Sequence, residues 1–348
     1  MGIFKRKKKI LAITNFISLD DIWWFNNFDS RLCCSTLYLC NFLKKFIKVT
    51  KFLKKKSTIK ENIITFEIND QVTKKVTNFY KDSPFPNYKD DDNKASILEK
   101  GNKNFLAAQF KKFIGYNKNI LEVGCGTGQL SIYLSIGTNN NIVGLDPTLE
   151  ALSLASNFTK KNDIDNVKFV NADIFDDVLK ENYFDHIWCS GVLHHTKNPS
   201  LAFQIITKSL KKDGYILIGL YNKIGRVRTI VRKYFYKMFG QNFLMLIDPT
   251  LRNLKNDKEE QKSWIRDQYI HPVESLHTLD EVLKWFKNND IEFISSIPSC
   301  DFDDDHKNLF IKKSQGNFYS RIMNQISMIF SRIGSDGGLF ILIGKKNR

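Results

Sequence analysis

Glycine at alternate positions, directly after a short apolar run, limits this chain more than any other feature. Ile120-Leu121-Glu122-Val123 passes into Gly124-Cys125-Gly126-Thr127-Gly128-Gln129-Leu130. Glycine admits sharp turns and lets a ligand approach bare backbone. A strand running into such a loop and then into a helix reads as the first unit of an α/β sheet. The dinucleotide fingerprint G-x-G-x-x-G is not met, because Gln129 stands where its last glycine would fall. The spacing is E-x-G-x-G-x-G instead. An acid just ahead of the loop would repel a pyrophosphate and suits a ligand with a cationic head.

Further apolar runs follow at strand-like intervals: Asn141–Leu145, Val167–Val170, Tyr183–Cys189, Gly214–Leu220, Ile291–Ile297 and Leu339–Ile343. Between them lie helical patterns. Pro147 suits a first helical position after Asp146, Leu201, Ile205, Ile206 and Leu210 share a helical face, and Thr278-Leu279-Asp280-Glu281 matches a capping box. Buried apolar runs alternating with helices predict an α/β fold, a seven-stranded mostly parallel sheet with helices on both faces. The stretch after the fifth strand is too long for one crossover, so 221–290 is expected to be a helical insertion above the sheet. Three divisions are expected: a basic, aromatic-containing extension (1–60), a cap or lid (61–115) and a sheet domain (116–348). The Ser83-Pro84-Phe85-Pro86-Asn87-Tyr88 segment cannot be helix, since its prolines remove donors and hold their predecessors extended. Asp301–Asp305 reads as loop.

The chain carries a net charge of +16 from 53 basic and 37 acidic residues. Residues 1–60 hold 14 Lys/Arg against three Asp, so most of the excess is N-terminal. Lys5–Lys9 and Lys44–Lys56 flank Trp23, Trp24, Phe25, Phe28 and Phe42. Lysines around aromatic residues suit the peripheral surface of an anionic membrane, the same charges could hold RNA, and a solvated basic arm is the ordinary alternative. The six cysteines form no C-x-x-C pair, and no Cys/His cluster has zinc spacing, so no metal is expected. The thiols fit a reducing, cytoplasmic setting, and no secretion signal is expected.

Taken in order, the glycine loop, Gly144-Leu145-Asp146, Asn171-Ala172-Asp173-Ile174, Phe184 through His195 and Leu210-Lys211-Lys212-Asp213-Gly214-Tyr215 resemble the class I S-adenosylmethionine (SAM)-dependent methyltransferases. The resemblance covers about 115–222. Gly191 to His195 looks most like the branch that includes quinone-biosynthesis and other small-molecule methyltransferases. Pro84–Tyr88 and Leu220–Arg226 are similar to a bacterial subgroup.

The resemblance implies SAM as cofactor and its demethylated product, S-adenosylhomocysteine, as ligand. Glu122 would act near the methionine ammonium. Gly124, Gly126 and Gly128 would give backbone approach, with Cys125 as a small filler. Asp146, followed by Pro147, would accept the ribose hydroxyls, or cap the next helix, or both. Asp173 would meet the adenine amino group, or be an ordinary loop Asp, and Ile174 would pack on the purine. Ser190 and Gly191 would face the methyl group. His194 and His195 are candidate general bases, with pocket wall as the alternative. Tyr80, Tyr88, Tyr221, Arg226 and His271 are candidate acceptor or lid contacts; Arg226 could instead lie on a solvated helix face.

The expected function is methyl transfer to a small-molecule or lipid-like acceptor by in-line displacement. Two alternatives stand beside it: an RNA methyltransferase, against which the strand-four ending Ser190-Gly191-Val192-Leu193 lacks a [DN]-P-P-[YF] sequence, and a catalytically inactive SAM-binding scaffold at a membrane.

Overall fold

All seven apolar runs become strands. In the computed structural model these are β3 (Asn119–Val123), β4 (Asn141–Asp146), β5 (Val167–Asn171), β6 (Phe184–Ser190), β7 (Leu210–Tyr221), β8 (Ile291–Ile297) and β9 (Leu339–Lys346). The structure describes residues 50–347 except 82–83, 85, 255–256, 303–307 and 331–336. The basic and aromatic residues of 1–49, Phe85 and Asp303–Asp305 lie outside the described residues.

The sheet has nine strands rather than seven. Two short strands, β1 (Thr58–Lys60) and β2 (Ile63–Thr65), form a hairpin turned by Glu61 and Asn62, both at positive φ. Ile63 and Ile64 are buried where β2 runs parallel to β5. Strands of three residues are too short to show a period, which is why the pattern of the sequence does not mark them. The order is β1-β2-β5-β4-β3-β6-β7-β9-β8. Pairing is parallel from β2 to β7 and antiparallel at β7–β9 and β9–β8.

Helices α1 (Gln71–Lys81), α2 (Lys94–Lys103) and α3 (Phe105–Ile114) precede the sheet proper. They are followed by α4 (Gln129–Ser135), α5 (Leu149–Lys161) and α6 (Pro199–Lys208), the last capped by Asn198 with Pro199 at its first turn. Strand residues Ile120, Ile142, Phe169 and Trp188 pack with Phe110, Ile132, Leu152 and Ala155 into the main core. Beyond β7 come α7 (Val227–Ile247), kinked at Gly240, then α8 (Pro249–Asn253), α9 (Lys258–Ile265), a π-turn (Arg266–Ile270) and α10 (Leu279–Asn288). Leu244, Leu251, Ile265 and Tyr269 give this insertion a small core of its own. Thr278 caps α10 by accepting from the Glu281 N–H at 3.2 Å, but the Glu281 carboxylate turns to His277 Nδ1 at 2.9 Å instead of closing the box. Helix α11 (Phe318–Ser327) lies between β8 and β9 in sequence.

Phe52–Arg348 form one compact unit. Phe52 and Leu53 are buried, and Lys54 pairs with Asp177 at 2.6 Å, so the end of the basic N-terminal stretch is built into the sheet domain. Among the described residues, no helix is long and apolar enough to cross a membrane.

Candidate active site

The carboxyl ends of β3, β4, β5 and β6 meet where the strand order turns from β4 through β3 to β6, the position at which open α/β sheets bind ligands. A cavity of about 600 Å³ opens there. Its floor comes from four strand ends.

Glu122, Gly124, Cys125 and Gly126 are supplied by the first. Gly124 has φ +68°, and a Cβ there would stand 2.2 Å from Val192 Cγ2, so the loop can pass Val192 only as glycine. Gly128, at φ +73°, opens α4 and packs under Phe169 without lining the cavity.

Asp146 closes the loop from β4. Its carboxylate accepts the Gly126 N–H on Oδ2 and the Thr148 N–H on Oδ1, both at 2.8 Å. The acid therefore shapes the turn and still lines the cavity together with Pro147. Burial raises its pKa, and the two backbone donors partly oppose that. Glu122, also buried, accepts from the Ser131 hydroxyl. Burial raises it to about 8; the Ser131 bonds act against this, and the Asp146 charge adds to it. Two buried acids held above their ordinary range make a site short of positive charge. Cys125 is buried beside both, and its thiol is pushed well up, as befits a filler rather than a nucleophile.

Asp173, at the end of β5, accepts the Phe175 N–H on Oδ1 at 3.0 Å, while its buried Oδ2 has no partner. An orphaned buried acceptor on a cavity wall calls for a donor from a ligand. Ile174, Ser190 and Gly191 line the same space.

The roof comes from distant segments. Tyr80 donates to Asp267 Oδ1 at 2.8 Å, and Tyr221 reaches Asp267 Oδ2 at 3.3 Å. Gln268 Nε2 donates to both Asp267 Oδ2 and the Tyr221 hydroxyl, at 2.7 and 2.9 Å. All four residues line the cavity. Asp267 and Gln268 are not marked as site residues by the sequence reading; the signal available was their adjacency to Tyr269-Ile270-His271.

The two adjacent histidines separate. His195 lines the cavity, and its Nδ1 lies 2.6 Å from the Val273 carbonyl oxygen. A carbonyl only accepts, so Nδ1 carries the proton and Nε2 the lone pair. Burial depresses its pKa, with the Val273 bond acting against this, so the ring stays a neutral base. His194 does not line the cavity. It is fully buried with neither ring nitrogen paired, and its ring lies 4.0 Å from that of Tyr221. His271 sits behind His195, ring centroids 3.6 Å apart, and is pushed down to about 3 by burial and by His195.

Arg226 and Tyr88 also stand outside the cavity. Arg226 is 1% exposed beneath Tyr221, its guanidinium 3.4 Å from the ring centre. It grips Glu274 with two bonds at 2.8 and 2.6 Å and donates to Gln268 Oε1 and the Gly337 carbonyl at 2.9 and 2.6 Å. It is neither on a solvated face nor in reach of a ligand; it ties the roof together. Tyr88 stacks on Phe158 and donates to the Thr127 carbonyl at 2.7 Å, while Thr127 and Gln129 donate back to the Pro86 carbonyl. The proline-containing segment thus clasps the glycine loop.

Among the described residues no His/Cys/Asp/Glu group could hold a metal ion. The geometry is that of a site for a ligand with several hydrogen-bond donors and a positive charge.

Comparison with known proteins agrees with this arrangement. Residues 114–289 match the family described as "Methyltransferase domain". An uncharacterised protein of Synechococcus sp. is 24% identical over 200 residues, 50% of this chain and 47% of that protein. The ubiquinone biosynthesis O-methyltransferase of Glaesserella parasuis is 29% identical over 147 residues, 39% of this chain and 61% of that enzyme. The chain thus spans about half to three fifths of the length of these curated relatives. Haemonchus contortus phosphoethanolamine N-methyltransferase 2, solved with SAM, aligns with a TM-score of 0.42 at 17% identity, over 69% of this chain and 52% of that one. With half of its length matched to the family model, the chain belongs to the methyltransferase-domain family, as a class I SAM-dependent member.

Proposed function

We propose that this protein transfers a methyl group from SAM to a hydroxyl-bearing small-molecule or lipid-like acceptor. The observation that carries the reading is the unpartnered Asp173 Oδ2, set in one cavity with the buried acids Glu122 and Asp146. These acceptors match the donors of a cationic nucleoside: Asp173 the adenine amino group, Asp146 the ribose hydroxyls through its remaining lone pairs, and Glu122 the ammonium. Gly124 and Gly126 admit it against bare backbone, and Ile174 covers the base.

When bound, SAM supplies a methyl group activated by a sulfonium leaving group, so the chain's main task is alignment. Ser190 and Gly191 border the acceptor side. The roof of Tyr80, Tyr221 and Asp267 excludes water over it. His195 offers a neutral Nε2 to take the proton from an acceptor O–H. The names of the O-methyltransferase relatives support a hydroxyl acceptor.

Calorimetry with SAM and S-adenosylhomocysteine tests this. Both should bind, and Asp146→Ala should weaken each by about tenfold or more, the order for losing a charged hydrogen-bond partner. Unchanged affinity in that variant would overturn the reading.

A further inference from the structure

Helix α7 turns an apolar face to solvent. Val227, Val231, Tyr234, Phe235, Met238 and Phe239 are 38–71% exposed. Their spacing of i, i+4, i+7/i+8 and i+11/i+12 puts them on one face. The opposite face carries buried Thr229 and half-buried Tyr236, whose ring lies 6.2 Å from that of Tyr269 in the insertion's core. The helix therefore carries apolar residues on two faces, the inner one packed and the outer one uncovered. Soluble proteins rarely expose contiguous apolar surface without a use for it.

The charge around this face is one-sided. From Tyr221 to Ile247 the chain has six Lys/Arg and no Asp or Glu. Arg226 is held inside the chain by Glu274 and Arg232 by Asp248 at 4.0 Å, so neither belongs to the outer face. On the helical wheel the exposed Lys237 edges the apolar face beside Tyr234. Lys223, just before the helix, is exposed.

We infer that this face of α7 docks onto an anionic lipid surface. Apolar and aromatic residues at the centre would enter the headgroup–acyl boundary, and the exposed Lys223 and Lys237 would reach up to the lipid phosphates. A second copy of the chain is disfavoured, since a two-fold pairing would bring the like-charged flanks together. Nucleic acid would use the cations and leave the apolar centre without a partner. The inference does not rest on the proposed reaction. It does place the lipid surface next to the π-turn against which α7 packs, and this turn carries Asp267 and Gln268 of the cavity roof.

Flotation of the full-length chain with vesicles tests it, comparing phosphatidylcholine alone with phosphatidylcholine containing about one-third phosphatidylglycerol. The protein should float with the anionic vesicles and not with the neutral ones. Met238→Asp combined with Phe239→Asp should lower the bound fraction about tenfold or more, because two apolar side chains leave the interface and two anions enter it. Both positions are exposed, so the melting temperature should not move. Lys223→Glu with Lys237→Glu, both exposed, should weaken binding and flatten its dependence on salt. Equal flotation of wild type and either double variant would overturn the inference. So would a vesicle-free dimer that Met238→Asp/Phe239→Asp dissociates, which would assign the face to a second copy.

Discussion

The floor and the roof of the cavity are built by opposite means. The floor is held through backbone N–H groups: Gly124 donates to the Leu145 carbonyl, Gly126 to the Asp146 carboxylate, and Phe175 to Asp173 within its own loop. The roof joins side chains far apart in sequence, Tyr80 to Asp267 across 187 residues and Arg226 to Glu274 across 48. A floor set by glycines and strand register is fixed once the sheet forms. A roof held by buried polar side chains depends on each partner, because losing one strands the others. The difference teaches where each should fail.

The largest effect is expected at the centre of the roof. Arg226→Met leaves the Glu274 carboxylate, Gln268 Oε1 and the Gly337 carbonyl without their donor. Breaking a buried ion pair by removing one member costs about 3–5 kcal/mol. The denaturant midpoint should fall accordingly. A loss below about 1 kcal/mol, the level of an exposed pair, would mean the roof does not hang on this residue.

In the floor, Gly124→Ala forces a side chain into left-handed backbone with its Cβ against Val192. Left-handed strain and overpacking each cost about 1–3 kcal/mol. Unfolding should show the loss, and calorimetry should show weaker SAM binding as the loop shifts. A variant with wild-type affinity would show that the loop has more freedom than its packing implies.

Floor residues were legible in the sequence because their chemistry is local. Glu122, Gly124, Gly126, Asp146 and Asp173 each lie within a few residues of an apolar run that reads as a strand. The hairpin at Thr58–Thr65 was not legible, since its strands are three residues long and its place beside β5 is decided by a partner 106 residues on, Ile63 facing Phe169. Nor was the role of Arg226, which looks in sequence like the start of a basic helix but is turned inward by Glu274. His194 and His195 are adjacent in sequence, and only the fold separates a sealed ring from one facing the cavity. Asp267 had only its nearness to His271 to mark it, because its role comes from Tyr80 and Tyr221.

The acids of the floor carry a pH dependence. Glu122 is raised to about 8 in the ligand-free protein, chiefly by burial. A folded-state pKa above the unfolded one means stability is full below the unfolded carboxylate range and is lost as pH rises through about 8. A cationic ligand favours the ionised form, so binding should release a proton below that pH. SAM affinity should rise with pH, by at most about tenfold per unit, and level off above it. Glu122→Gln should remove the proton release, read by calorimetry in buffers of different ionisation enthalpy, and should stabilise the free protein at alkaline pH. Proton release persisting in Glu122→Gln would place the titrating group elsewhere.

The smallest effect tests whether the clasp at Pro84–Tyr88 belongs to the floor or merely rests on it. Tyr88→Phe removes one hydrogen bond, to the Thr127 carbonyl, and keeps the ring stacked on Phe158 with centroids 4.5 Å apart. The lost bond is worth about 0.5–1.5 kcal/mol. The remaining donors to Pro86, from Thr127 and Gln129, keep the segment in place. Stability should therefore drop by about 1 kcal/mol with SAM affinity unchanged, while Tyr88→Ala, which also removes a partly buried ring packed against the main core, should cost more. If Tyr88→Phe instead lowered affinity several-fold with little change in stability, the hydroxyl would be setting the conformation of the Gly126–Gly128 turn. The floor would then share the dependence on distant side chains that otherwise marks the roof.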